Sequence, residues 1–307
     1  MRPDPYIEIQ EDRDKARRLA ERAGSLDLAG LVDLYFSLTP EVPPRFADRY
    51  LRGMLQLGPA RAADRLEALE AEVPKLAGPL RVVDVGCGAG AWMPALAARA
   101  SSLVGVDVGL RWLVVGRKAL ERAEVEAELI CANAEALPLA PCSADLLVAA
   151  NVLEHTSDAR VALDEAFRVL DRDGVAYLTT PNRYSLLPEP HVGIPGLGLL
   201  PRRTADRLVR TLRGVPYSGI TLRGAAGWRD LATSAGFRRA VVRGGRLGRR
   251  ELSTLPRSAR VAARLLGQGR RLPGADLALT TLGPTLEVLA FKGPNRERIP
   301  VGREVIG

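Results

Sequence analysis

Residues 82–90 read Val-Val-Asp-Val-Gly-Cys-Gly-Ala-Gly. An apolar, β-branched run carries one acid, Asp84, and breaks into glycines at alternate positions, Gly86, Gly88 and Gly90. A helix-like segment follows. Where a strand meets glycines, the backbone approaches a ligand closely because no Cβ intrudes. The helix that starts there offers unpaired N–H groups. A nucleotide-like cofactor at this corner is the first expectation.

The loop chemistry narrows the cofactor. A phosphate-cradling loop needs Gly-Lys-Ser/Thr after its glycines, and here Ala91 and Trp92 follow Gly90. A dinucleotide fingerprint spaces its glycines G-x-G-x-x-G, whereas this loop reads G-x-G-x-G. An acid just before the first glycine suits a cationic ligand better than a pyrophosphate. Further along, Ser102–Asp107 reads as a second strand ending in an acid, and Asp145–Leu153 reads as a fourth. Glu165–Leu170, Asp173-Gly174 and Thr179–Asn182 follow in order. Alternating strands and helices over residues 80–180 predict a parallel, doubly wound α/β sheet with its ligands at the strands' carboxyl ends. Gly86, Asp107, Asn133 and Asn151 all fall at such ends on this reading.

With these motifs in order, the chain resembles the class I S-adenosylmethionine (SAM)-dependent methyltransferases, in their type-11-like subgroup, over residues 78–183 and more weakly to about 292. The resemblance implies a Rossmann-like sandwich with a mostly parallel seven-stranded sheet whose last two strands pair antiparallel. For Glu165–Leu170, Asp173-Gly174 and Thr179–Asn182 it implies a helix, a turn and a fifth strand. It places Asp84, Gly86, Cys87, Gly88 and Gly90 around the methionine part of SAM. Asp107, with Val108 beside it, falls on the ribose. Cys131–Pro138 resembles the adenine-side loop, and Asn133, next to Ala134, stands where that pattern usually has Asp. Asn151 completes the implied cofactor set. The implied reaction is methyl transfer from SAM to a small-molecule or lipid-like acceptor, most naturally to oxygen, with S-adenosyl-L-homocysteine as product. RNA methylation and a non-catalytic SAM-binding regulator are the alternative readings.

The chain's two histidines, His155 and His191, both fall in segments expected to border the cofactor cleft. Histidine is the natural general base near neutral pH, and His155 with Glu154 forms the candidate catalytic pair. Asn151, Glu154 and His155 also have i, i+3, i+4 spacing, which one helical turn would gather on a single face. This resembles the Glu-x-x-Glu-His pattern of metal-dependent O-methyltransferases, including those of quinone biosynthesis and those acting on small-RNA 3′ ends. Glu154, His155 and His191 are therefore candidate ligands of a divalent metal. Asn151 in place of the first Glu weakens an oxygen-rich site for Mg²⁺.

Composition sets the frame. With 307 residues, 47% of them hydrophobic, the chain holds a full core. Cys87, Cys131 and Cys142 show no metal-type pairing, which fits a reducing cytoplasm. The first residues carry no apolar signal core, and no apolar run approaches a membrane span. Net charge is +8, yet residues 238–271 alone hold eleven arginines against one acid, Glu251, so the remainder is slightly acidic.

The expected organisation is a helical N-terminal cap (1–78), a SAM-binding α/β core (79–183), and a Gly/Pro-rich segment bordering the active site (184–223). The remainder of the core follows (224–243 and 285–292), split by an Arg-rich insertion between the last two strands (244–284). Within the cap, Tyr35, Phe36, Arg49, Tyr50 and Met54 are candidates for core packing or the substrate pocket. Arg257, Arg260 and Arg264 share one helical side, so residues 244–271 are candidates to rest on an anionic membrane. No Phe, Trp or Tyr occurs between residues 238 and 284, which speaks against single-stranded nucleic acid as the partner.

Overall fold

The computed structural model describes residues 9–39, 50–214, 216–217, 219–246, 248–250 and 274–294. Two compact units divide the chain: residues 1–138 with 248–254, and residues 139–247 with 255–307.

The first unit opens with helices α1 (Ile9–Ala23) and α2 (Leu28–Ser37). Asp27 caps α2, its carboxylate accepting the Gly30 N–H at 2.8 Å. Leu28, Leu31, Val32 and Tyr35 line one side of α2 and are buried with Leu19, Ala89 and Val115. Each such side chain contributes roughly 1.5–3 kcal/mol on burial. Residues Leu51–Gln56 form a π-helical turn leading into α3 (Gly58–Glu72), with proline in its first turn. The helical cap is thus wider than an α-helix at 51–56, and residues 44–49, including Arg49, lie outside the described residues.

Strands β1 (Leu80–Val85), β2 (Ala100–Asp107) and β3 (Glu128–Cys131) alternate with α4 (Met93–Ala97) and α5 (Leu110–Arg122). β1 pairs parallel with β2, and β2 with β3. Their carboxyl ends therefore share one edge. β1 is buried at five of its six positions, as expected of a parallel strand covered on both faces. From α1, Asp12 accepts the Leu110 N–H at 2.8 Å and pairs with Arg111 at 3.2 Å. An acid from one helix thus caps the N-terminus of another, where the helix dipole favours it.

The second unit contains β4 (Ala144–Ala150), a 3₁₀ turn (Leu153–His155), α6 (Ala159–Val169), β5 (Leu170–Pro181), α7 (Arg202–Arg213), α8 (Ala225–Ser234), β6 (Arg239–Gly244), α9 (Ala275–Leu282) and β7 (Thr285–Phe291). Its strands lie in the order β4-β5-β7-β6; β4 and β5 are parallel, and β7 runs antiparallel to both β5 and β6. The seven strands, mostly parallel with an antiparallel final pair, match the expected fold class. Two local expectations change. The Asp173-Gly174 turn is absorbed into the start of β5 by a register shift against β4. Residues 183–220, expected to be irregular, include the twelve-residue helix α7, whose Ala205 and Val209 are buried with Ile194, Leu197, Tyr217 and Ile220.

Part of the Arg-rich stretch is committed to the chain itself. Arg243 pairs with the buried Glu287 at 3.0 Å. Arg250 reaches Asp64 at 3.0 Å and Glu67 at 2.6 Å on α3. Residues 251–273, with Arg257, Arg260 and Arg264, lie outside the described residues. Among the described residues no helix is long and apolar enough to cross a membrane.

Candidate active site

In the first unit, the chain leaves β1 through three glycines with left-handed backbone: Gly86 (φ 68°), Gly88 (φ 54°) and Gly90 (φ 77°). Only glycine adopts this region without steric cost. The turn is closed by Gly86 N–H to Val106 O at 2.7 Å and Gly90 N–H to Cys87 O at 2.8 Å. Gly116 of α5 lets the helix lie directly on the loop, since a Cβ there would stand 3.2 Å from Gly88 O.

Asp107, at the end of β2, accepts two backbone bonds of 2.8 Å, from Gly88 N–H through Oδ2 and from Gly109 N–H through Oδ1. Asp84 is 2% exposed and its Oδ2 has no hydrogen-bond partner. Burial, with the Asp107 charge adding to it, pushes its carboxyl up to about 8. A buried acid with an orphaned oxygen is costly unless a cation or donor meets it. Cys87 is buried, and burial pushes its thiol up; the neutral thiol acts as packing. Tyr50 stacks on Trp112 at 4.7 Å, and its hydroxyl stands 3.9 Å from where a Cβ on Gly88 would be. Val108 is exposed in the turn after β2.

The loop after β3 joins this edge through Ala132 N–H to Asp107 O at 3.0 Å. Asn133 and Ala134 are half-buried there. Asn133 Oδ1 accepts the Glu135 N–H at 2.9 Å.

The second unit carries a separate cluster. Glu154 is fully buried; its Oε2 accepts the Thr180 hydroxyl at 3.2 Å, and its Oε1 has no partner. Nε2 of His155 and Nε2 of His191 are 3.0 Å apart, with ring planes 83° to each other. One ligating atom from each of Glu154, His155 and His191 lies within 4.8 Å of the others. Burial pushes Glu154 up to about 7, against the opposing pull of its backbone hydrogen bond, His191 and Thr180. Burial, then His191, pushes His155 down to about 4. For His191, burial works against the cation, but hydrogen bonding and charge from Glu189 and the charge of Glu154 outweigh it and raise the ring.

The helical face expected for Asn151, Glu154 and His155 does not form. Asn151 has φ 57°, is exposed, and donates its N–H to Thr179 O at 2.8 Å, ending β4 in a left-handed turn. Only residues 153–155 are helical, as a single 3₁₀ turn. Thr180 and Glu189, absent from the sequence reading, complete the cluster.

Residues 83–178 match a family profile described as a methyltransferase domain. Over these residues the chain is similar to the methyltransferase domain family. The chain also aligns with the ubiquinone biosynthesis O-methyltransferase of Leptothrix cholodnii, 34% identical over 121 residues, 39% of this chain and 51% of that protein. The protein of the same name from Azorhizobium caulinodans is 32% identical over 104 residues, 34% of this chain and 41% of that protein. The chain thus spans about half the length of the curated relatives it matches. Among solved structures, a SAM-dependent methyltransferase from Mesorhizobium loti is 23% identical with a TM-score of 0.49, covering 73% of this chain and 96% of that one. Phosphoethanolamine N-methyltransferase 2 of Haemonchus contortus, in complex with SAM, is 16% identical with a TM-score of 0.48, covering 75% and 52%.

Proposed function

We propose that the chain transfers the methyl group of SAM to an oxygen of a small, lipid-like acceptor, releasing S-adenosyl-L-homocysteine. The cofactor assignment draws on the orphaned Asp84 oxygen beneath three left-handed glycines. SAM carries two cations, its ammonium and its sulfonium, that such a carboxylate offsets. Asp107 takes the ribose hydroxyls and Asn133 the adenine edge, with Val108 and Ala134 flanking. The acceptor oxygen attacks the methyl carbon in line with the departing sulfur. The C–O bond forms as the S–C bond breaks, the electron pair returns to sulfur, and the hydroxyl proton leaves to a base.

The observation that carries the choice of oxygen is the cluster of Glu154, His155 and His191. A hydroxyl is the acceptor that most needs help losing its proton. The oxygen in the relatives' names agrees. The cluster also fits a divalent ion: two imidazoles and one carboxylate are a donor set suited to first-row transition metals, and the unpartnered Glu154 Oε1 gives such an ion a place. When bound, an ion of this kind lowers the pKa of a coordinated hydroxyl. His155, held neutral by burial, keeps a lone pair on one ring nitrogen, and that nitrogen accepts the acceptor's proton if no ion is used. Asn151, exposed and outside the 3₁₀ turn, supplies no second charge, which disfavours Mg²⁺.

A lipid-like acceptor is supported by residues 184–213. That segment exposes Tyr184, Leu186, Leu187, Leu199 and Leu212. Its helix α7 presents Arg202, Arg203, Arg207, Arg210 and Arg213 against one acid, Asp206. Exposed leucines beside arginines suit an anionic membrane surface. The test supplies methyl-labelled SAM to the protein with an extract of the source cells and separates organic, small aqueous and RNA fractions. Label in the organic fraction supports this reading. Label in RNA, or SAM binding with no transfer to any fraction, overturns it.

A further inference from the structure

The carboxylate of Glu189 is 5% exposed, yet it faces no lysine or arginine in a described ion pair. Its described hydrogen bonds run to the histidine loop. Oε2 accepts the backbone N–H of His191 at 2.9 Å and of Val192 at 3.0 Å, and Oε1 lies 2.5 Å from His191 Nδ1. The Glu189 backbone closes the same loop, donating to Ile194 O at 3.1 Å and accepting from Gly193 N–H at 2.7 Å. Arg213 of α7 braces it from outside by donating to Val192 O at 2.9 Å. One carboxylate therefore shapes the loop and aims the ring it carries.

We propose that Glu189 is the positioning residue of the histidine pair. The inference rests on the reading that this pair serves the acceptor. An ionised carboxylate only accepts hydrogen bonds, so the nitrogen facing it must carry a hydrogen. In the neutral ring that nitrogen is Nδ1, and Nε2 is left with its lone pair. That lone pair points at His155 Nε2, 3.0 Å away. Glu189 thereby selects both the orientation and the tautomer of His191. Whether Nε2 takes a hydrogen bond from His155 or faces a cation beside Glu154, it is presented in the form the site uses. A carboxylate behind an imidazole also raises the ring's basicity at the other nitrogen. Glu154 and His155 are the other titratable groups of the described cluster, and neither touches Nδ1 of His191 in the described contacts.

The test compares the full chain with Glu189→Ala and Glu189→Gln. The ring nitrogens of His191 are observed by long-range ¹H–¹⁵N correlation in the neutral form, with His191→Ala assigning the signals. The wild type is expected to show Nδ1–H alone. Glu189→Ala is expected to mix in the Nε2–H tautomer and to lower kcat about 10–100-fold with the SAM dissociation constant unchanged. In Glu189→Gln the amide oxygen is needed by the two backbone N–H donors of His191 and Val192, so its NH₂ faces Nδ1, and this variant is expected to favour the Nε2–H tautomer and to lower the rate. It also serves as the folded comparison if the alanine variant proves unstable. An Nε2–H ring in the wild type, or an unaltered tautomer in Glu189→Ala, overturns the assignment. The tautomer is read without turnover, so a failure of the methyl-transfer reading leaves it measurable.

Discussion

Nε2 of His155 lies 3.0 Å from Nε2 of His191. At that distance one nitrogen donates to the other, or both lone pairs face a shared cation; either way the rings act as a pair. His155→Ala is expected to lower kcat by ~10²–10⁴-fold and to leave SAM affinity unchanged by isothermal titration. A full rate in this variant, with the true acceptor, would remove His155 from the chemistry.

The donor set of Glu154, His155 and His191 predicts that a divalent transition metal accompanies the purified protein. Elemental analysis should find it, a strong chelator should remove both ion and turnover, and Mn²⁺ or Zn²⁺ should restore turnover better than Mg²⁺. Glu154→Gln should lose the ion. A metal-free, chelator-resistant enzyme leaves proton acceptance by His155 as the working mechanism.

The proposed role of Asp84 beside a cationic cofactor predicts that cofactor binding depends on pH. The Asp84 carboxyl is pushed up to about 8 by burial first and Asp107 second, so it is mostly protonated at neutral pH without ligand. A cationic cofactor selects the carboxylate and so releases a proton. SAM affinity is therefore expected to rise as pH climbs towards 8, then to level as the cofactor's own amino group, with an ordinary value near 8, loses its charge. Asp84→Asn should weaken binding and flatten the rising limb, which titration calorimetry in buffers of different ionisation heat will show. In the ligand-free protein the sign is the reverse of an ordinary salt-bridged acid. The folded state holds a proton that the unfolded chain sheds near pH 4, so Asp84's contribution to stability declines as pH rises from about 4 through about 8.

Gly88 is held at φ 54°, and Gly88→Ala should cost about 1–2 kcal/mol, visible as a lower melting temperature. Gly116→Ala, by contrast, keeps helical backbone but brings a Cβ to 3.2 Å from Gly88 O. It is expected to displace the loop and weaken SAM binding more than stability. Equal losses in both measurements would argue against a ligand role for the loop.

Residues 184–213 predict association with anionic vesicles. Leu186→Ser with Leu187→Ser should reduce co-flotation with phosphatidylserine vesicles, and raised salt should reduce it further because the arginine contribution is screened. Equal binding to neutral vesicles would remove the arginines from the account.

The sequence was most informative where structure is set locally. β7 covers Thr285–Phe291 as read from its apolar run, and the glycine loop is announced by residue type because left-handed backbone leaves little alternative. Asn151 misled for a local reason too. Its i, i+3, i+4 spacing is helical on paper, but Asn tolerates the left-handed region and ends β4 instead. Helix α7 was hidden by the prolines and glycines around it. Glu189 was invisible for a different reason. An acid two residues from a histidine in a Gly/Pro-rich stretch carries no signal until the chain folds back and brings His191 against His155.

Asp107 holds Gly88 and Gly109 with its two oxygens through contacts made within the chain itself. The conformational entropy of shaping the loop is therefore lost during folding rather than at the encounter with the cofactor. Association should then proceed at the rate of diffusion into a ready cradle, with no slow ordering phase, and selectivity between SAM and its demethylated product falls to charge alone.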